Sequence, residues 1–244
     1  MRRLHSEEGL EVKIATRRSE FARVWKLMYR AYRERGYIPA NASGMVYRLS
    51  YGLPTSHTVL ALDELYRLVG TMTIVGDNRL GLPMETVFHS RVQRLRDDRR
   101  RIAEVSGLAV DPAFARRSPA IFHALSRFMM QYACWHEYDD LLIAVHPRHE
   151  DFYRRWFRFQ PFATCPSYSA VSGNPAVACR LDLQSLLEAW CRQMIESYFG
   201  RVIPVERLES PPMRAADHEY FCRLVGKLPT PGAAVCPAER RRAG

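Results

Sequence analysis

The chain has 244 residues, 47% of them hydrophobic and 25% charged, an ordinary globular composition with room for one large domain and an appendage. The formal charge is +10, and since Lys13, Lys26 and Lys227 are the only lysines, 33 of the 36 basic residues are arginine. Coding bias accounts for part of that excess; the rest favours an acidic partner surface or a phosphate-bearing ligand. No apolar run reaches the ~18 residues of a membrane span, and MRRLHSEEGLEVK at the start has no apolar segment of the secretory kind. The six cysteines are scattered with no CxxC pair. That pattern predicts neither a disulfide framework nor a zinc site, and a reducing, cytoplasmic setting.

In chain order, residues 11–18 (EVKIATRR) read as a short strand. Ser19 is placed to cap a helix in which Phe21, Val24, Trp25, Met28, Tyr29 and Tyr32 recur at three and four; Arg35-Gly36 ends it. The loop that follows holds Tyr37, Tyr47 and Tyr51, which either line a pocket or pack on the surface. Strands are expected at His57–Asp63 and Arg67–Gly76, joined as a hairpin through Asp63-Glu64-Leu65-Tyr66. Met84, Val87, Phe88, Val92 and Leu95 then space an amphipathic helix. It leads into six arginines within eleven residues: Arg91, Arg94, Arg96, Arg99, Arg100 and Arg101. The cluster is either a solvated basic face or a dock for an acidic partner.

The stretch Ile102–Val110, IAEVSGLAV, is nearly continuously apolar, as a strand buried on both faces is. Alternation places Ile102, Glu104, Ser106, Leu108 and Val110 on one face. An interior carboxylate is costly, so Glu104 is either matched by a partner or held for chemistry. Gly107 beside it suggests a bulge or a close backbone approach. Beyond Asp111-Pro112 the turn Ala113–Arg117 has no glycine to let the backbone wrap a pyrophosphate. It carries instead Arg116 and Arg117, suited to gripping a single phosphate through side chains. Ser118-Pro119 marks a helix start, and Ile121, Phe122, Leu125, Phe128, Met129, Tyr132 and Trp135 give its apolar stripe.

Asp140–His146 reads as another buried strand closed by Pro147. A short helix then buries Phe152, Tyr153, Trp156 and Phe157. His146, His149 and Asp151 straddle the proline turn, a spacing that suits a turn or cap better than a metal. Two strand-like runs, 162–171 and 176–183, flank the turn Ser172-Gly173-Asn174-Pro175, and a helix is expected over 183–198. The remainder turns Pro-rich and basic, with a helix near Ala215–Leu224 and a flexible end, PTPGAAVCPAERRRAG. The order β, α, loop, ββ, insertion, β, α, β, α, ββ, α predicts a mixed α/β (α+β) fold. Its twisted sheet has about seven strands, with helices on both faces.

Five pieces, taken as a set, resemble the FeeM-type N-acyl amino acid synthases, GNAT-fold enzymes related to the acyl-homoserine-lactone synthases. They are YRAYRERGYI (Tyr29–Ile38), LVGTMTIVGDNRLGLPME (Leu68–Glu85), AEVSGLAVD (Ala103–Asp111), AVHPRHEDFYRRWFRF (Ala144–Phe159) and GNPAVACRLDL (Gly173–Leu183). The resemblance implies a GNAT-like domain over about residues 10–200, with 201–244 as an extension outside it. It implies transfer of a fatty acyl group from an acyl carrier protein thioester to the amine of an amino acid, with a splayed central strand pair admitting the acyl-phosphopantetheine arm. No cofactor is then bound; the carrier's pantetheine is the donor. Glu104 stands where the family places the base, Ser106 assists or merely bonds the backbone, and amides near Gly107–Val110 would hold the oxyanion. Leu108, Val110, Arg116, Arg117 and Tyr153 would line the donor arm, Tyr153 either protonating the sulfur or packing. Arg94, Arg99, Arg100 and Arg101, with Arg117, would meet the acidic carrier. Leu27-Met28-Tyr29, and Gly107 after the serine, depart from the lactone synthases and argue against lactone formation from S-adenosylmethionine.

Two other readings stand beside this one. A CoA-dependent N-acetyltransferase on a small amine would share the fold and differ in its donor. A basic nucleic-acid-binding module would use the arginines alone, but these are not interleaved with aromatics in an RNA-reading motif. The leading reading expects no nucleic acid, no metal and no membrane span, any membrane association arising through the lipid product.

Overall fold

In a computed structural model of the chain, residues 9–168 and 171–227 are described. The parts of the sequence reading that concern the first eight residues, the end of the 162–171 run and the PTPGAAVCPAERRRAG end lie wholly or partly outside them. The described residues form a seven-stranded sheet: β1 (Leu10–Ile14), β2 (Ser56–Asp63), β3 (Leu68–Gly76), β4 (Ile102–Val110), β5 (Asp140–Val145), β6 (Gln160–Tyr168) and β7 (Asn174–Asp182). The order is β1-β2-β3-β4-β5-β7-β6. Every neighbouring pair is antiparallel except β4 and β5.

Each face of the sheet has its own core. On one, α1 (Arg18–Glu34) and α2 (Glu85–Asp97) bury Trp25, Met28, Phe88 and Val92 with Ile102 of β4. On the other, α3 (Ser118–Trp135) buries Ile121, Leu125, Phe128 and Met129 against Ala103. The helix starts differ from the expected caps. Glu20, not Ser19, satisfies the open end of α1, its carboxylate accepting the amides of Thr16 (2.9 Å) and Arg17 (3.1 Å). Ser118 lies inside α3; the turn before it is a 3-10 segment, Pro112–Arg117, capped by Asp111 through the Ala113 amide (3.0 Å).

α4 (Pro147–Phe152) runs into a π-turn, Tyr153–Phe157. Phe157 is buried there, but Phe152 is 43% and Trp156 61% exposed, contrary to the expected burial of both. The helix expected over 183–198 is two: α5 (Leu186–Ala189) and α6 (Arg192–Phe199). Trp190 breaks it in an extended conformation, its buried indole N–H donating to the Phe157 carbonyl (3.0 Å). That anchor outweighs the continuing helical pattern.

Residues 201–227 pack on both cores. α7 (Val205–Leu208) buries Leu208 with α3, and α8 (Ala215–Leu224) buries Phe221 against Phe21, Trp25 and Tyr47. His57 ties the segment down, bonded to the Tyr132 hydroxyl (2.7 Å) and the Ser210 carbonyl (3.0 Å). Asp217, wholly buried, pairs with Arg18 (2.6 Å) and Arg214 (2.9 Å). No disulfide joins the five described cysteines. Among the described residues no helix is long and apolar enough to cross a membrane, and no group of His, Cys, Asp or Glu could hold a metal ion. His146 instead caps α4, accepting the Arg148 amide at 3.3 Å.

Candidate active site

The site begins with an interruption in strand pairing. β4 and β5 pair only at Ile102–Asp140, Ala103–Leu141 and Glu104–Leu142; beyond Glu104 no residue of β4 has a partner in β5. β5 continues on β7 to Val145, and β4 continues on β3 to Val110, so the two strands part. Parallel pairing gives way to an opening whose apex is Glu104.

A second irregularity lies just past the apex. Thr73 pairs with Ser106 and Thr71 with Ala109, so Gly107 and Leu108 together oppose Met72. This is a β-bulge, with Gly107 at φ +64, a conformation glycine takes without strain. A Cβ at Gly107 would lie 3.1 Å from the Met28 methyl and 3.3 Å from the Thr73 hydroxyl, so close approach adds to the requirement. The bulge corrects the face assignment made from strict alternation. Ile102 and Glu104 face the α1–α2 side, but Leu108 and Val110 pack with the α3 core and Ala109 takes their place. The side chains of Leu108 and Val110 are therefore not on the face of Glu104. The Asp111 amide bonds the Val69 carbonyl of β3 (2.9 Å); strand alternation then turns the Val110 amide toward the parted side.

Glu104 is 3% exposed. One carboxylate oxygen accepts the Met84 amide at 2.7 Å, and neither makes an ion pair with a described residue. Burial pushes its pKa up to about 8; the Met84 amide and the Arg48 guanidinium oppose that rise, and Glu85 adds to it. Tyr51 and Tyr168 stand near it, and Tyr32 stands near Tyr51. Tyr51 is buried, stacks on Trp25 (5.3 Å between centroids) and shares a hydrogen bond with the Ser106 hydroxyl at 3.2 Å. Tyr168 donates to the Pro83 carbonyl at 3.0 Å, which holds the Pro83-Met84 segment over Glu104. Tyr32 is half-buried on α1. Burial raises the pKa of all three phenols, so each remains an O–H donor at neutral pH.

Arg48 completes the group. It precedes the 3-10 turn Leu49–Gly52 and is half-buried. Burial pulls its pKa down, but Tyr51, Tyr168, Tyr32 and Glu104 outweigh that and leave it raised. Of the loop tyrosines, Tyr51 lines this site, Tyr47 bonds His218 on α8 (2.5 Å) and Tyr37 accepts from Arg148 (2.7 Å). Arg48 went unremarked in the sequence because a loop has no periodicity to give it a face. Its signal was indirect: an arginine between Tyr47 and Tyr51, in a loop that packs beside the strand bearing Glu104.

The other predicted residues divide. Arg116 and Arg117 sit in the turn directly beyond β4, at the parted end; Arg116 is exposed and Arg117 half-buried. Tyr153 lies among Phe122, Phe152, Phe157 and Phe159, and burial pushes its hydroxyl up to about 12. Arg99, Arg100 and Arg101 immediately precede Ile102, at the paired end of β4, and Arg94 is exposed on α2. The four are not brought to the opening. Arg100 binds the wholly buried Asp140 (2.8 Å) and Asp182 (2.9 Å), and Arg101 pairs with Glu137 (2.7 Å). Arg96 is likewise held by Asp77 and Glu85. Two surface concavities, of about 490 and 400 Å³, are lined around Tyr220 and around Arg180; neither includes a residue of this group.

Residues 23–182, about two thirds of the chain, match the family of the N-acyl amino acid synthase FeeM. The chain belongs to that family. FeeM from uncultured soil microbes has a similar structure (TM-score 0.64, 22% identity, covering 73% of this chain and 93% of FeeM). So has the AHL synthase LasI (TM-score 0.54, 15% identity, 80% and 96%). A ribosomal-protein-S5-alanine acetyltransferase from Vibrio fischeri shares the fold (TM-score 0.51, 11% identity, 74% and 97%). Among curated protein sequences none matches significantly. The fold is GNAT-like, as the sequence pieces implied, and the family makes this FeeM-type chain an acyltransferase.

Proposed function

We propose that this FeeM-family protein transfers a fatty acyl group from an acyl carrier protein thioester to the amine of an amino acid, with Glu104 as the base. The observation that carries the reading is a buried carboxylate with no cation in ion-pair contact among the described residues, at the apex where β4 and β5 part. A carboxylate kept only for stability would be expected to have such a partner, as Asp140 and Asp217 do.

The chemistry follows from these groups. The acceptor arrives as an ammonium, whose nitrogen has no lone pair. Glu104 removes one proton, directly or through a water. The freed amine attacks the thioester carbonyl, forming the C–N bond, and the oxygen becomes an oxyanion. The Val110 amide, turned to the parted side, is a donor suited to it. Collapse breaks the C–S bond and expels the pantetheine thiolate, which takes the second amine proton, directly or relayed by Tyr153. The products are the amide and the free thiol. Glu104 must be unprotonated to act, so its raised pKa makes the reaction faster as pH rises toward about 8.

On the donor side, the turn after β4 is a glycine-free 3-10 segment carrying Arg116 and Arg117, suited to the single phosphate of a carrier-bound pantetheine. The carrier then approaches the parted end. Its acidic surface would meet Arg116, Arg117 and the exposed Arg148, with Trp156 as an apolar contact. The earlier dock, Arg94 and Arg99–Arg101, faces away from it. Transfer assays with acyl-carrier and acyl-CoA donors, products read by mass spectrometry, test the proposal. It expects an N-acyl amino acid from the long-chain carrier donor. Efficient use of acetyl-CoA with no carrier-dependent product would replace it by the acetyltransferase reading.

A further inference from the structure

Nothing in the proposed acylation uses the hairpin that joins β2 to β3, yet its tip leaves two adjacent apolar side chains in water. Leu65 is 71% and Tyr66 65% exposed. The turn that presents them is closely built. The buried Asp63 carboxylate accepts the amides of Leu65 (3.0 Å) and Arg67 (2.9 Å) and the Arg67 guanidinium (2.7 Å). The Tyr66 amide returns to the Asp63 carbonyl (2.9 Å). Tyr66 itself takes φ +57, a left-handed conformation disfavoured for a residue with a Cβ. Hydrogen bonds and backbone strain thus hold Leu65 and Tyr66 outward, where most of each side chain meets only solvent.

The tip is joined to a basic ridge. α1 carries Arg23, Lys26, Arg30 and Arg33 at spacings of three and four, all exposed, on the side away from the buried Phe21, Trp25 and Met28. Arg23 donates to the Tyr66 carbonyl (3.1 Å), and Arg30 to Asp111 (2.9 Å) just past β4. The ridge therefore runs from the tip to the parted end of β4. Arg67 lies over the Phe114 ring, 5.0 Å from its centroid, and ties the tip to the turn after β4. Of the acids here, Asp63 is committed to the hairpin turn, Asp111 to Arg30 and the Ala113 amide, and Glu64 folds back over Gly9; Glu34 is exposed at the far end of α1. A protruding apolar pair beside a cationic ridge fits a surface that yields to the first and is anionic toward the second. A bilayer with anionic lipid does both, with the tyrosine at headgroup depth; a folded partner would need a socket matching the knob. We infer that the Leu65-Tyr66 tip, with Arg23, Lys26, Arg30 and Arg33, docks the protein on an anionic membrane surface. Arg148 and Trp156, assigned above to the carrier, follow β5, across the opening from the tip. The two surfaces then flank the opening, and a fatty acyl product would leave beside the bilayer. The docking itself stands apart from the acylation, since it needs neither donor nor acceptor.

The test is co-sedimentation of the full chain with vesicles of phosphatidylcholine alone and of phosphatidylcholine with phosphatidylglycerol, with no substrate present. Wild type is expected to bind the anionic vesicles in preference to the neutral ones and to dissociate as salt rises. Leu65→Ser combined with Tyr66→Asn, asparagine being tolerant of the left-handed turn, should partition at least about 10-fold more weakly for loss of the two apolar contacts. Its melting and its transfer activity in solution should be unchanged. If that variant does not fold, Lys26→Glu on the exposed side of α1 should weaken partition by about 10-fold through charge alone. Failure of wild type to bind anionic vesicles, or partition of a folded variant equal to that of wild type, would overturn the inference. So would variants that bind vesicles normally but raise KM for the carrier donor, which would make this face part of the carrier's dock. None of these outcomes decides the acylation, which the transfer assay tests by itself.

Discussion

Replacing Glu104 by glutamine removes one ionisable group from the interior of the sheet while keeping an oxygen to accept the Met84 amide. Glu104 has its pKa raised from 4.5 to about 8. A carboxyl whose folded value exceeds its unfolded value holds its proton more tightly when folded. Its contribution to stability is thus full below pH 4.5 and is lost as pH rises through about 8. At 3% exposure no solvent discount applies. Linkage from these two values gives a loss of about 2 kcal/mol between about pH 6.5 and about pH 8.5. Histidines depressed by burial add a small opposite slope near pH 6.5, where they still titrate in the unfolded chain, but that slope is the same in both proteins and cancels in the comparison. Urea unfolding at the two pH values, on wild type and Glu104→Gln, reads the difference. Wild type should lose about 2 kcal/mol more than the variant across the interval. Equal slopes would mean that Glu104 is ionised at its ordinary pKa, and the account of a base held in reserve by burial would fail.

Acid should act through a different group. Burial lowers His57 to about 4 and also lowers His136, so their stabilisation holds above pH 6.5 and is lost as pH falls. His57 alone accounts for about 3 kcal/mol by pH 4, and protease sensitivity of the 201–227 segment should appear over that interval in wild type but not in His57→Gln. Gly107→Ala should cost at least about 1 to 2 kcal/mol in urea unfolding, with loss of transfer activity as the bulge is forced out; a stable, active variant would show that the bulge is not required. Arg100→Met should destabilise by about 2 kcal/mol, the worth of hydrogen bonds to a charged group, since the wholly buried Asp140 retains Arg180, without changing KM for the carrier donor. Arg116→Glu should raise that KM without affecting melting. The reverse pattern would return the dock to the paired end of β4.

The sheet and its order of elements were legible because burial imposes runs and periods on the sequence. IAEVSGLAV could only be an interior strand, and Glu104 within it was conspicuous. The faces of Leu108 and Val110 were misread because one glycine in a bulge shifts alternation by a residue, and the place of that shift depends on β3. Arg96, Arg100 and Arg101 read as part of a basic patch because their partners Asp77, Asp140, Asp182 and Glu137 are distant in sequence and meet them only in the fold. Trp156 looked like core because helical spacing says nothing about a π-turn. Arg48 was invisible for the opposite reason: its half-burial comes from what surrounds it, not from any pattern in its own stretch.

The most direct measurement is single-turnover transfer from a long-chain acyl carrier protein to an amino acid, with the amide quantified by mass spectrometry, in wild type and Glu104→Gln. The account expects amide from wild type and at least about 100-fold slower formation in the variant, with donor affinity unchanged. Amide formation by Glu104→Gln at the wild-type rate would contradict it.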